Sequence, residues 1–271
     1  VQQLFGLASV LITIFCFGCY GALIGGRKRF SAVDIFTGWG LVTGGLTIAG
    51  ILATAPFSWL VYGFWALAVG AIFWIWKRDR FEGPEPGAFR LIWRILVLAS
   101  PLLLLVTAMK ASQWDEFSQW LPSAQYLFRF NGFPSSALPQ SPAYFPAYPQ
   151  AALMTTYLSS RLTGFFIENA GTLSNTIMLL CFAPIYLSVV ARGLKLDAGW
   201  NSQWRYAAFG ILGVTVLSTV FVQKLVFTAY ADTPTAITLA VLGILVWMIL
   251  NDLENDNPST RTLAWHFSLV S

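Results

Sequence analysis

The stretch Leu102-Leu103-Leu104-Leu105-Val106-Thr107-Ala108-Met109-Lys110-Ala111-Ser112-Gln113-Trp114-Asp115-Glu116-Phe117 decides the fold, because an unbroken apolar run passes directly into two adjacent carboxylates. Roughly twenty apolar residues cross a bilayer as a helix, so the run up to residue 109 reads as the end of a span. Asp115 and Glu116 then read as the polar boundary beyond it.

Working outward, the same pattern recurs. Spans are predicted near 3–25, 34–54, 58–76 and 91–109 before the acidic pair, and near 171–191, 205–227 and 233–250 after it. Residues 262–271 read as the opening of an eighth. The expected fold class is all-α: a polytopic α-helical membrane protein of about 7 to 8 transmembrane helices, with interfacial helices in its first long extracytoplasmic loop. Three regions follow: a four-span bundle over 1–109, a loop with the acidic motif over 110–170, and carboxy-terminal spans over 171–271. Composition agrees, because 56% hydrophobic and 10% charged residues with a mean hydropathy of +0.65 exclude an ordinary soluble domain. The first apolar stretch has neither a basic n-region nor a cleavage-like site, so no separate signal peptide is expected.

Lys and Arg set the orientation, because short translocated loops are depleted of them. Of the 16 cations, Lys110, Arg129, Arg161 and Lys224 fall on the side of the acidic pair and the rest on the other. The acidic loop is therefore expected outside the cytoplasm. Because the cations lie in short groups between spans, the net charge of +4 reads as topology, and no nucleic-acid partner is expected.

Most catalytic chemistries lack their parts here. There is no phosphate-binding glycine motif, no dinucleotide fingerprint and no cluster of histidines. The single His266 reads as an interfacial or packed residue, and Cys16, Cys19 and Cys181 as small apolar core residues. The spans hold almost no ionisable residues near their centres, which argues against a transporter.

The loop over 110–150 differs in kind, with six of the 13 prolines and many aromatics. Trp114, Phe117, Leu121, Ala124, Leu127 and Phe128 recur every three or four residues, as on an amphipathic helix at the interface. Pro122 is expected to divide that helix into two short pieces. A second, half-buried helix is expected over about 149–161, the two flanking a Pro/aromatic turn at 141–149. Neighbouring helix positions differ by about 100 degrees, so Asp115 and Glu116 cannot serve one target equally. One suits general-base chemistry toward an alcohol and the other structure; alternatively both mark only the water boundary of the fourth span.

The order of an apolar span, Trp114-Asp115-Glu116-Phe117-Ser118-Gln119-Trp120-Leu121-Pro122, an interfacial helix, and Tyr144-Phe145-Pro146-Ala147-Tyr148-Pro149-Gln150 resembles the first extracytoplasmic loop of the GT-C superfamily of membrane glycosyltransferases. That group includes protein O-mannosyltransferases and the enzymes that add aminoarabinose to lipid A. The resemblance covers roughly half the chain, and the acidic pair here follows the fourth span where the family places it after the first. It implies transfer of a sugar from a polyprenyl-phosphate carrier to an extracytoplasmic acceptor, at a bacterial inner membrane. Asp115, or secondarily Glu116, is implied to deprotonate or orient the acceptor hydroxyl. Lys110, Arg129, Arg161 and Lys224 are the implied partners of the donor phosphate, and Tyr148 with Pro149 matches the Tyr-Pro element. Asp232, in the last outer loop, is implied as a second carboxylate, although capping the following helix explains it equally. No cofactor and no obligatory metal are expected. The expected partners are the lipid-linked donor and membrane lipids. A second reading is a non-catalytic transmembrane scaffold with partner membrane subunits.

Overall fold

The computed structural model describes residues 2–271 except 26–29, 53–55, 78–87, 148–149, 197–198, 201–202, 219–220 and 255–259, and except the side chains of 88, 223, 260–262 and 265. All regular structure among the described residues is helical. Among the described residues five helices are long and apolar enough to cross a bilayer: α1 (Gln2–Ile24), α2 (Ala32–Ile51), α3 (Phe57–Lys77), α8 (Ala170–Gly193) and α11 (Asp232–Glu254). A sixth is the pair α4 (Ala88–Leu98) and α5 (Ser100–Ala108), which bends by 60° at Ala99. Pro101 accounts for the bend, because it has no N–H to donate and its ring clashes with the preceding turn. Five to six spans make the chain an integral membrane protein.

The expected continuous span over 205–227 is not formed. Helix α9 (Trp204–Val214) stops at Thr215, whose φ of −109° and ψ of −95° leave the helical region, and among the described residues of this stretch only the single turn α10 (Gln223–Val226) follows. The cause is local. Val214, Thr215, Val216, Ser218, Thr219, Val220 and Val222 are β-branched or hydroxyl-bearing, with low helix propensity for all their hydropathy. The stretch still follows α8 from one end toward the other: Gly210 lies against Ala183 and Leu187, and Ala229 against Gly171.

Close backbone contact builds the amino-terminal core. A Cβ on Gly38 would fall on the Phe17 carbonyl, and one on Gly21 on the Asp34 carbonyl, so α1 and α2 pack with their main chains touching. In lipid, where apolar burial drives helices together only weakly, such small-residue contacts supply the packing. Ser31 and Asp34 start α2 with a reciprocal capping box. Helix α12 (Thr260–Val270) lies against α2, where His266 is fully buried with Nδ1 2.7 Å from the Thr37 hydroxyl and Nε2 3.7 Å from Asp34. His266 is thus a packed residue, and the three cysteines are buried free thiols.

The helix expected to be half-buried near 149–161 runs over Ala151–Thr163 (α7) and is buried throughout 153–160. Ser159 and Ser160 make this insertion feasible, because their hydroxyls find partners. Ser9 donates to the Ser159 carbonyl at 2.6 Å, Ser159 meets Thr13 at 3.0 Å, and Ile167 donates to Ser160 at 3.1 Å.

Candidate functional site

The acidic motif opens a helix that begins unusually. After α5 the chain turns through Lys110–Gln113 and enters a π-helical turn, Glu116–Trp120, that continues directly into α6 (Leu121–Phe130). The division expected at Pro122 is absent. Pro122 has no N–H for the Ser118 carbonyl four residues back; the wide turn lets Leu121 donate to Glu116 instead, and Ser118 accepts from Tyr144 at 2.9 Å.

That exchange helps pin the Pro/aromatic loop on the helix. Gln119 donates to the Phe145 carbonyl at 2.7 Å and accepts the Phe145 N–H at 2.6 Å, while the Tyr126 hydroxyl donates to the Pro139 carbonyl at 2.6 Å. At the far side Tyr157 bonds the Asn131 side chain at 3.0 Å. Asn131 ends α6 in the left-handed region, φ 50°, which asparagine tolerates better than most residues.

The two acids have separate environments. Glu116 is 1% exposed, and its carboxylate accepts from the backbone N–H of Ser112 at 2.8 Å, of Gln113 at 3.0 Å and of Ala229 at 2.8 Å. The first two bonds cap the amino end of its own helix. The third ties in the loop before α11, 113 residues away. Asp115 is exposed. Its neighbour across the gap is Tyr230: burial raises the Tyr230 phenol above its ordinary value, the Asp115 charge adds to the rise, a hydrogen bond with the Asp115 backbone opposes it, and Glu116 and Asp232 add in the upward direction. Asp115, Glu116 and Asp232 therefore all lie close enough to act on one phenol.

The loop carrying Tyr230 is held by Asn175 of α8, whose amide donates to the carbonyls of Thr228 at 2.8 Å and Tyr230 at 2.9 Å. Asn169 donates to the carbonyls of Val106 and Thr107, closing the end of α5. Asp232 is exposed at the first position of α11.

The four cations implied for the donor phosphate divide into two groups. Lys110 and Lys224 are exposed and belong to the chain segments that bring in the acids. Arg129 and Arg161 end α6 and α7, and the Arg161 guanidinium lies 5.8 Å from the Phe128 ring centroid. Among the described residues none of the four forms an ion pair with Asp115, Glu116 or Asp232. Tyr148 and Pro149 lie outside the described residues. No three His, Cys, Asp or Glu side chains among the described residues converge as a metal-ligand set.

Two cavities open between the helices, and neither contains the acids. One, of about 700 Å³, lies between the α2–α3 connection and the Pro/aromatic loop, with Thr47, Phe57, Asn131, Phe133 and Gln150 in its walls. The other, of about 430 Å³, is an apolar slot between α1, the bent pair α4–α5 and α8.

Sequence reasoning missed Tyr230, Gln119 and Asn175. Asn175 carried a signal, since a lone amide in an apolar span needs a partner. So did Glu116, three residues after Gln113 at the spacing by which a helix-start glutamate reaches back to the cap backbone. No protein-family model, curated protein or solved structure matches the chain.

Proposed function

We propose that this chain is a membrane glycosyltransferase that moves a sugar from a polyprenyl-phosphate carrier to an acceptor at the acidic end of the bundle, with that end outside the cytoplasm. The reading rests on the loop order that resembles the GT-C superfamily and on one observation: carboxylates from segments over a hundred residues apart act on the Tyr230 phenol, with Asp115 exposed and Glu116 buried and bonded to three backbone N–H groups. The Glu116 carboxylate is buried and holds three backbone N–H groups. Asp115 has open access to a substrate.

In this reaction the acceptor O–H gives its proton to the Asp115 carboxylate as the acceptor oxygen attacks the anomeric carbon. The bond from that carbon to the carrier phosphate breaks, and the polyprenyl phosphate leaves with the electron pair. A single displacement inverts the anomeric centre. Lys110 and Lys224 suit the leaving phosphate, which gains charge as the bond breaks and is stabilised by a charge-assisted donor. Tyr230, kept protonated, and Asp232 orient Asp115 and the acceptor.

The test is sugar transfer by purified Asp115→Asn protein with a polyprenyl-phosphate-sugar donor. Loss of transfer with normal accumulation in the membrane is expected; normal transfer would remove Asp115 as the base. A scaffold role is the second reading, favoured by Trp114, Phe117, Tyr144 and Phe145, which stand exposed beside the acids and could meet a partner subunit. It predicts transfer by neither form, and loss of an associated membrane subunit when Trp114 and Tyr144 become alanine.

A further inference from the structure

At the opposite, basic end of the bundle, α8 ends in a Schellman motif. Leu196 N–H donates to the Ala191 carbonyl at 3.0 Å and Lys195 N–H to the Arg192 carbonyl at 3.2 Å. Lys195 occupies the left-handed position, φ 50°, where glycine is the usual residue. A lysine there carries a backbone strain that glycine avoids. The turn thus holds an exposed cation at a position where the backbone disfavours it.

Beside this turn, α8 and α9 leave a slot of about 300 Å³. Leu187, Val190, Leu194 and Phe209 make it apolar, and Arg205 stands in its wall with the guanidinium 5.0 Å from the Tyr206 ring centroid. Arg94 of α4 covers the neighbouring Trp204 at 5.6 Å. The place therefore offers an apolar cleft, the rings of Trp200, Trp204 and Tyr206 beside it, and three exposed cations, Arg192, Lys195 and Arg205, on the elements that form it.

We propose that this slot binds one anionic phospholipid of the leaflet at the basic end, an acyl chain lying between α8 and α9 and the phosphate facing Arg205 and Lys195. A zwitterionic lipid would fill the cleft equally, but its own ammonium opposes the surplus of protein cations. An anionic headgroup complements them, as basic pockets between helices do for charged lipids. The proposal is independent of the sugar-transfer reading, and its test requires no activity.

The experiment is native mass spectrometry of the detergent-purified chain titrated with phosphatidylglycerol or with phosphatidylcholine. Wild-type protein is expected to retain phosphatidylglycerol preferentially. Each cation near the surface is worth about 1 kcal/mol, so Arg205→Gln should weaken that retention about fivefold. Arg205→Lys should keep most of it. Val190→Trp, which fills the slot without changing charge, should weaken both lipids. Lys77→Gln, an exposed cation at the end of α3, which packs on α1 away from the slot, should change nothing. Equal retention of the two lipids by the wild type would overturn the proposal. So would unchanged phosphatidylglycerol binding in both Arg205→Gln and Val190→Trp, or a Lys77→Gln loss as large as that of Arg205→Gln.

Discussion

Replacing Glu116 tests whether it is an anchor, and the expected size of the effect follows from its three bonds. In Glu116→Ala the Ser112 and Gln113 N–H groups lie near the surface, where water replaces the carboxylate, so their loss resembles loss of a helix cap, about 1 kcal/mol. The Ala229 N–H is buried, and stranding it costs about 1–3 kcal/mol. Removing a buried charge returns part of this, which leaves a net destabilisation of about 1–3 kcal/mol. Glu116→Gln keeps one acceptor oxygen and should lose about half as much. The measurement is the midpoint of thermal unfolding in detergent, combined with maleimide labelling of an Ala231→Cys reporter. The native cysteines are buried and stay silent. Both variants should lower the midpoint and speed labelling, because the loop before α11 loses its tie. Asp115→Asn, at an exposed site, should change stability by no more than about 0.5 kcal/mol. An unchanged midpoint and labelling rate in Glu116→Ala would refute the anchoring role.

Gly38→Ala should destabilise by about 2–3 kcal/mol, because its methyl group meets the Phe17 carbonyl and α1 must move away from α2. Gly44→Ala, which meets nothing within 4 Å, should be neutral or stabilising; thermostability by size-exclusion chromatography separates the two. Gln119→Ala removes both bonds to Phe145 and should open the bonds around 140–147 to limited proteolysis, while helical content measured by circular dichroism stays constant.

The membrane class and five of the long helices were legible because length and hydropathy alone specify them. The failures share a physical cause: hydropathy is blind to backbone preference and to hydroxyl pairing. Over 214–222 valine and threonine raise hydropathy while disfavouring the helix, so a span-like window is broken. In α7 the reverse holds. Thr155, Thr156, Ser159 and Ser160 make the segment look half-polar, yet their small size lets α7 approach α1 and hydroxyl pairing satisfies Ser159 and Ser160 in the interior. Pro122, which lacks an N–H, is expected to divide the helix. The missing donor instead freed the Ser118 carbonyl for Tyr144, so the feature expected to divide the helix helps fasten the loop to it.

The division between Asp115 and Glu116 shows where local reasoning stops. Helical geometry requires the two to diverge, but adjacency is symmetric and does not say which turns inward. Side-chain length breaks the symmetry. The extra methylene of glutamate allows one carboxylate to reach back to Ser112 and Gln113 while its other oxygen meets Ala229. Exchanging the pair, Asp115→Glu together with Glu116→Asp, should therefore fail to restore what either single replacement loses: the shorter acid at 116 cannot span from the cap to Ala229, and the loop that carries Tyr230 loses its hold.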